Sequence, residues 1–238
     1  VWADRISVPV EILRGYELPA WVGPETLVIA SSKSGDTEET LRQLEAALSR
    51  RCPVVCVSAG GALRRVAEAA SLPLAVIPSA GPPRASAGWS MGIAAGILET
   101  AGALELGEAE VEAAVASARE TTARCAPTVP TADNPAKQLA WSLVDRMVLV
   151  SAAGYLAPVA RRWKSQLNEN GKTTAVFEEL PEATHNTVVG FEQPESLQSI
   201  DQFVCKHLIL LSVVCRKAWK RSKTRQSRQS NSSTCVTS

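Results

Sequence analysis

The sequence predicts an α/β protein built from two similar units, each a parallel sheet flanked by helices. The first observation is a series of short apolar runs that alternate with helical patterns between residues 27 and 77. The second is a similar series that begins near residue 134. Parallel strands buried on both faces form continuous apolar runs, while the helices between them carry a single apolar stripe. Such an alternation with short connections is typical of parallel α/β units.

In the first series, three apolar runs predict strands, each followed by a helix. Leu41, Leu44 and Leu48 lie three and four residues apart and predict one buried stripe on the first helix. Asp36 and Glu39 have the spacing of a capping box, so we expect Asp36 to begin this helix. The predicted strands are 27–31, 53–58 and 72–77, and the predicted helices after the first are 62–70 and 85–100.

The second series follows a predicted helix over residues 105–124 and a proline-containing linker at 127–130. Here Gly171 is predicted to end the last helix as the residue after its C-cap. We therefore expect a first unit at 1–103, a helical connector at 104–133, a second unit at 134–200 and a divergent segment at 201–238. The predicted helices of the second unit are 134–144 and 156–170, and its predicted strands are 147–151 and 174–178.

Composition and charge exclude several classes of function. The 238 residues are 45% apolar and 21% charged, as in an ordinary soluble globular protein. Residues 216–238 hold seven of the 25 basic residues and none of the 24 acids, so the remainder is acidic overall. An acidic body argues against nucleic-acid binding, and the basic tail is predicted to be disordered. The longest apolar stretch, 203–215, is too short to span a membrane.

The six cysteines predict neither a metal site nor a disulfide framework. They form no CxxC pair and no cluster with histidine. Residues 1–10 also lack the basic start and apolar run of a signal peptide. We therefore expect a cytoplasmic protein, where thiols stay reduced.

The loop after the first predicted strand is a candidate anion site. It runs Ser32-Lys-Ser-Gly-Asp-Thr37 and leads into a helix N-terminus. Hydroxyl groups and free backbone N–H groups bind anions there, and the helix dipole favours negative charge. A capped turn with solvated hydroxyls explains the same pattern equally well. The loop lacks the GxxxxGK[ST] pattern of a P-loop.

Three further residues are candidates for chemistry, each with a simpler alternative. Arg84 lies at a loop–helix junction, where it can stabilise an oxyanion or remain a surface arginine. Glu169 lies near a predicted helix C-terminus, a position that suits a general base but also an ordinary surface carboxylate. His185 is one of two histidines and lies in a polar loop, where an exposed histidine without a function is also common.

Six short motifs in order resemble one family across residues 6–194. The segment 34–40 is similar to the SGNTEET loop of sugar isomerase (SIS) domains, and all six together resemble the bifunctional phosphoglucose/phosphomannose isomerases. The other five motifs are Arg14-Gly-Tyr-Glu-Leu-Pro19, Pro83-Arg84, Asn134-Pro-Ala-Lys137, Asn168-Glu-Asn170 and Pro181-Glu-Ala-Thr-His-Asn186.

The resemblance implies an aldose–ketose isomerase acting on a hexose 6-phosphate. It assigns the substrate phosphate to Ser32, Ser34 and Thr37, and enediolate stabilisation to Arg84. Glu169 would move the proton between C1 and C2, and His185 would open the sugar ring in the partner subunit's site. The resemblance thus implies a homodimer with a shared active site, and neither a metal nor an organic cofactor. It also implies a fragment of impaired activity, because the family's glycine-rich first loop and its usual C-terminal part have no match here.

A non-catalytic SIS module that binds a phosphosugar as a signal is the alternative reading. Such a module requires only the phosphate loop, so Glu169 and His185 in register would remain unexplained. The motifs therefore favour the isomerase.

Overall fold

The computed structural model describes residues 4–190, which divide into two compact units, Asp4–Gly107 and the part that begins at Glu108. Within this range no helix is both long enough and apolar enough to cross a membrane. The predicted divergent segment, with its basic tail, lies outside the described residues. The unit boundaries expected at 103, 133 and 200 stay predictions.

The first unit is a three-stranded parallel sheet in the order β1-β2-β3, with helices between its strands. This arrangement confirms the α/β fold expected from the alternating apolar runs. The strands are β1 (Val28–Ser31), β2 (Val54–Ser58) and β3 (Leu74–Val76), and the helices are α1 (Glu38–Ser49), α2 (Gly61–Ala69) and α3 (Ala87–Thr100), the last preceded by a 3₁₀ turn at Pro83–Ser86.

The core of the first unit lies between the sheet and helices α1 and α2. The predicted stripe of α1 is confirmed, because Leu44 is fully buried while Leu41 and Leu48 pack against the same core. Leu63 from α2 and Cys56 from β2 are completely buried. Burial raises the pKa of the Cys56 thiol above its ordinary value, so this cysteine stays protonated and unreactive at neutral pH.

The capping box predicted for α1 is wrong. Helix α1 begins after Thr37, whose side chain makes no capping hydrogen bond. The Asp36 carboxylate instead accepts a hydrogen bond from the backbone N–H of Ala62, 2.9 Å away in the first turn of α2. Asp36 thus caps the neighbouring helix, because the loop that carries it folds over the N-terminus of α2.

The second unit contains a parallel pair of strands, β4 and β5, in register from Val148 opposite Ala175 to Ala153 opposite Leu180. Helix α6 packs on this pair, and its residue Ala160 is fully buried. The elements in order are α4 (Glu108–Arg124), α5 (Pro135–Leu143), β4 (Val148–Ala153), a 3₁₀ turn at Gly154–Leu156, α6 (Ala157–Gln166), a π-helical turn at Leu167–Gly171, β5 (Ala175–Leu180), a 3₁₀ turn at Glu182–Thr184 and α7 (Thr187–Gly190).

Helix α6 ends differently from the sequence prediction. After Gln166 the chain widens into the π-helical turn, and Lys172 rather than Gly171 adopts the left-handed conformation that ends it, at φ 53°. The backbone N–H of Lys172 bonds to the carbonyl of Leu167, five residues earlier. The prediction placed glycine at this position because glycine adopts positive φ without a steric cost.

Candidate functional site

The three hydroxyl residues predicted to hold an anion lie together after β1. The Ser32 hydroxyl is buried and is 2.7 Å from the Thr37 hydroxyl and 3.4 Å from that of Ser34. It also accepts a hydrogen bond from the backbone N–H of Gly35 at 3.1 Å. The three side chains therefore form one connected cluster at the carboxyl edge of the sheet, where α/β proteins bind ligands.

The N-terminus of α1 opens onto this cluster. The first N–H groups of a helix have no partner within the helix, and Thr37 does not cap them with its side chain. The positive end of the helix dipole lies at this N-terminus and attracts an anion. Glu38 and Glu39 occupy the same turn, so an incoming anion must gain enough from the hydroxyl and N–H groups to offset these two carboxylates.

The hydroxyl loop is fixed by close contact with the loop after β2. Gly35 has φ +79°, and its carbonyl accepts from the backbone N–H of Leu63 at 2.8 Å. The backbone N–H of Ala59 donates to the Lys33 carbonyl at 3.0 Å. A Cβ at position 35 would lie 1.8 Å from the carbonyl oxygen of Gly60, so only glycine fits here. These backbone bonds and this close contact hold the loop that carries the hydroxyl cluster in place.

The loop before Arg84 is tied to the hydroxyl loop through Lys33. The Lys33 ammonium donates to the carbonyls of Ala80, Gly81 and Pro82 at 3.2, 2.7 and 3.4 Å. Arg84 follows in the 3₁₀ turn and is half-buried. No sequence pattern indicates these contacts of Lys33, because its carbonyl partners lie 47 to 49 residues further along the chain.

Glu169 lies exposed in the middle of the π-helical turn, at the start of β5. Its neighbours hold this turn in place. The Asn168 side chain accepts from the backbone N–H of Ala175, the first residue of β5, at 3.0 Å. The Lys172 ammonium donates to the Glu169 carbonyl at 2.8 Å. Single π-helical turns occur frequently at functional sites, and this one presents a carboxylate at the amino end of a strand.

His185 lies at the other end of the same strand. Strand β5 ends at the buried Leu180, and His185 closes the 3₁₀ turn that follows, with its backbone N–H bonded to the Glu182 carbonyl at 2.9 Å. Its side chain is exposed. Strand β5, six residues long and about 17 Å in length, therefore lies between the turn that carries Glu169 and the turn that precedes His185.

No group of three or more histidine, cysteine or acidic side chains within residues 4–190 is arranged to hold a metal ion. The candidate anion site described above offers hydroxyl groups and backbone N–H groups.

Comparison with known proteins places these features in a family context. Residues 132–209 match the model of the bacterial phospho-glucose isomerase C-terminal SIS domain. A bifunctional phosphoglucose/phosphomannose isomerase from Caldicellulosiruptor bescii is 34% identical over 205 residues, which make up 86% of this chain and 60% of the relative. One from Aquifex aeolicus is 30% identical, over 82% of this chain and 57% of the relative.

A solved structure supports the fold alone. A proposed phosphosugar isomerase from Bacillus subtilis is 18% identical and superposes with a TM-score of 0.50, covering 71% of this chain and 51% of its own. The chain described here spans no more than 60% of the length of the curated relatives that it matches.

Proposed function

We propose that this chain belongs to the bifunctional phosphoglucose/phosphomannose isomerase family, which it resembles over most of its length, and that it interconverts glucose 6-phosphate or mannose 6-phosphate with fructose 6-phosphate. The observation that carries the proposal is the connected cluster of Ser32, Ser34 and Thr37 at the carboxyl edge of a parallel sheet. In this reading the cluster and the first N–H groups of α1 bind the substrate phosphate. Charge-assisted hydrogen bonds to phosphate oxygens are roughly twice as strong as neutral ones.

The chemical step is a proton transfer between two carbons of the open-chain sugar. Glu169 takes the proton from C2, which leaves a cis-enediolate, and returns it at C1. The hydroxyl proton passes from O2 to O1 within the enediolate, so the carbonyl moves from C1 to C2. Arg84 stabilises the negative charge that develops on the enediolate oxygens. The exposed Glu169 side chain on a fixed turn supports this assignment, because a general base must be both accessible and positioned.

The ring-opening residue is proposed to come from a second copy of the chain. Glu169 and His185 lie at opposite ends of β5, about 17 Å of strand apart. A general acid and a general base must both be within about 3 Å of the atoms they serve. The strand between the two residues supports the arrangement that the family resemblance implies, in which His185 acts on the sugar bound by the partner subunit of a homodimer with a shared site.

We propose that the reaction needs no cofactor and takes place in the cytoplasm. The carbonyl group of the open sugar acidifies the neighbouring C–H bond, so a carboxylate base suffices. The cysteines 52, 56 and 125, all within the described residues, are free thiols, as expected in a reducing compartment.

A coupled assay on the protein expressed from its complete gene tests this function. We expect fructose 6-phosphate to be converted to both aldose phosphates, with deuterium from heavy water entering at C2. Binding of fructose 6-phosphate without turnover or deuterium exchange would contradict the isomerase. That result would instead favour a non-catalytic module that binds a phosphosugar.

A further inference from the structure

We infer that Lys33 is a positioning residue that holds the Arg84 loop against the phosphate loop, an inference that rests on the function proposed above. Lys33 lies in sequence between two of the hydroxyl residues, Ser32 and Ser34. A lysine in a phosphate-binding loop is expected to contact the phosphate directly. The structure gives its ammonium a different set of partners.

The Lys33 ammonium is fully engaged by protein carbonyls. An ammonium group has three N–H donors, and three carbonyls, those of Ala80, Gly81 and Pro82, surround it at 2.7 to 3.4 Å. Binding a phosphate would require the ammonium to give up at least one of these bonds. Lys33 therefore acts through the loop that it holds.

The loop from Pro78 to Pro82 depends on this side chain for its shape. None of its residues donates a backbone hydrogen bond to another residue in the described part of the chain. Two of its five residues are prolines, which have no N–H to donate. The chain next enters the 3₁₀ turn that carries Arg84. Pro82 at the end of the loop also accepts a bond from the Ala85 N–H at 2.9 Å, so this bond and the Lys33 ammonium together position the start of that turn.

This arrangement couples two functions within the first unit. The backbone of Lys33 is fixed between Ser32 and Ser34, which are proposed to hold the phosphate, while its side chain fixes the loop that leads to Arg84. One side chain thereby links the proposed phosphate anchor to the segment that carries Arg84, the proposed enediolate-stabilising cation. Losing this link should impair catalysis far more than substrate binding, because the phosphate anchor stays intact.

The test compares Lys33→Met with Arg65→Met. Methionine keeps an unbranched apolar side chain but has no ammonium. Arg65 is an exposed residue of α2 in the same unit, so its substitution controls for the loss of one positive charge. In Lys33→Met we expect kcat to fall on the order of 10- to 100-fold, as small misplacements of catalytic groups do. KM for fructose 6-phosphate and the Kd for inorganic phosphate should each change by less than about threefold.

Hydrogen exchange provides a second readout that does not depend on turnover. The backbone N–H of Ala85, which bonds to the Pro82 carbonyl at 2.9 Å, should exchange faster in Lys33→Met than in Arg65→Met, because Pro82 is no longer held by the ammonium. The inference is overturned if this rate is unchanged. It is also overturned if phosphate affinity falls by tenfold or more while this exchange rate stays the same, since Lys33 would then be a direct ligand.

A measurement on the unaltered protein covers the case in which Lys33→Met does not fold. An amine-acylating reagent should modify Lys33 several-fold more slowly than Lys164, and inorganic phosphate should not change that ratio. Fast acylation of Lys33, or protection that appears only with phosphate, would overturn the inference. A wild-type protein without isomerase activity would refute the proposed function, while the exchange and acylation results would still decide the role of Lys33.

Discussion

Replacing Gly35 with alanine should be among the most damaging small substitutions in the first unit. Gly35 has φ +79°, and an added Cβ would lie 1.8 Å from the Gly60 carbonyl oxygen and 2.9 Å from the Ser58 hydroxyl. The nearest atom belongs to the backbone, so relief requires the two loops to separate. Separation breaks the 2.8 Å bond from the Leu63 N–H to the Gly35 carbonyl.

The magnitude follows from these two effects. A left-handed conformation costs an L-residue about 1–2 kcal/mol. Each hydrogen bond lost between the loops, including the one from Ala62 to Asp36, adds roughly 1 kcal/mol. We therefore expect Gly35→Ala to lower the free energy of unfolding by about 3 kcal/mol or more. For a unit of about 100 residues this corresponds to a fall in Tm of more than about 10 °C.

Two other glycines supply matched controls for the same substitution. Gly102 also has positive φ, at +70°, but a Cβ there would meet nothing within 4 Å. Gly102→Ala should therefore cost only the conformational strain, about 1–2 kcal/mol. Gly88 lies within α3 with open space around it, so Gly88→Ala should be neutral or stabilise by up to about 1 kcal/mol.

Urea unfolding should show the largest loss of stability for Gly35→Ala, a smaller loss for Gly102→Ala and none for Gly88→Ala. A Gly35→Ala variant as stable as Gly102→Ala would refute the reasoning, since contact with Gly60 would then cost nothing.

Replacing either of two capping residues should lower the free energy of unfolding by amounts that differ from one residue to the other. Asp36→Ala should lower the free energy of unfolding by roughly 1 kcal/mol, because α2 loses its cap at Ala62, whereas Asp36→Asn retains an acceptor and should cost less. Asn134→Ala should cost about 2–3 kcal/mol, because this fully buried side chain caps α5 through the Lys137 N–H and also donates to the Ala126 carbonyl. Urea unfolding measures both, and an Asn134→Ala cost below that of Asp36→Ala would contradict the ranking.

Local patterns predicted the elements whose formation depends on their own residues. The spacing of Leu41, Leu44 and Leu48 was sufficient to identify the buried face of α1, because a helix repeats every 3.6 residues. The apolar run from residue 53 to residue 58 likewise indicated a central strand buried on both sides. Each of these elements forms through hydrogen bonds along its own backbone or to a neighbouring strand. Its apolar side chains can pack against any apolar surface, so no particular distant residue is needed.

Two polar side chains bond to partners that are distant in sequence and that the sequence analysis did not predict. Asp36 has the spacing of a local cap, yet it bonds to Ala62, 26 residues away. Lys33 is joined to carbonyls 47 to 49 residues away. Such partners depend on how the loops after β1, β2 and β3 meet at one edge of the sheet. A polar side chain can form a hydrogen bond with any of several groups. Which group it bonds to depends on which ones the folded loops bring within reach.

The candidate site also contains one feature that the sequence predicted and one that it did not. The hydroxyls of Ser32, Ser34 and Thr37 share one short loop, so their proximity could be expected from sequence. The π-helical turn that displays Glu169 was not predicted from the sequence; it contains the bond from the Lys172 N–H to the Leu167 carbonyl and is followed by the bond from the Ala175 N–H to the Asn168 side chain. The roles of Glu169, His185 and Arg84 in the reaction stay predictions.

Glu169→Gln, made in the protein expressed from its complete gene, is the sharpest test of the proposed isomerase mechanism. Glutamine keeps the shape of the side chain but cannot accept the C2 proton. We expect kcat to fall about 10²- to 10⁴-fold, with the loss of deuterium exchange at C2 and little change in phosphate affinity. Glu120→Gln, at an exposed position of α4, is the matched control and should keep wild-type kinetics. Near-normal turnover and exchange in Glu169→Gln would contradict the account, because Glu169 would then be a surface carboxylate with no part in the proton transfer.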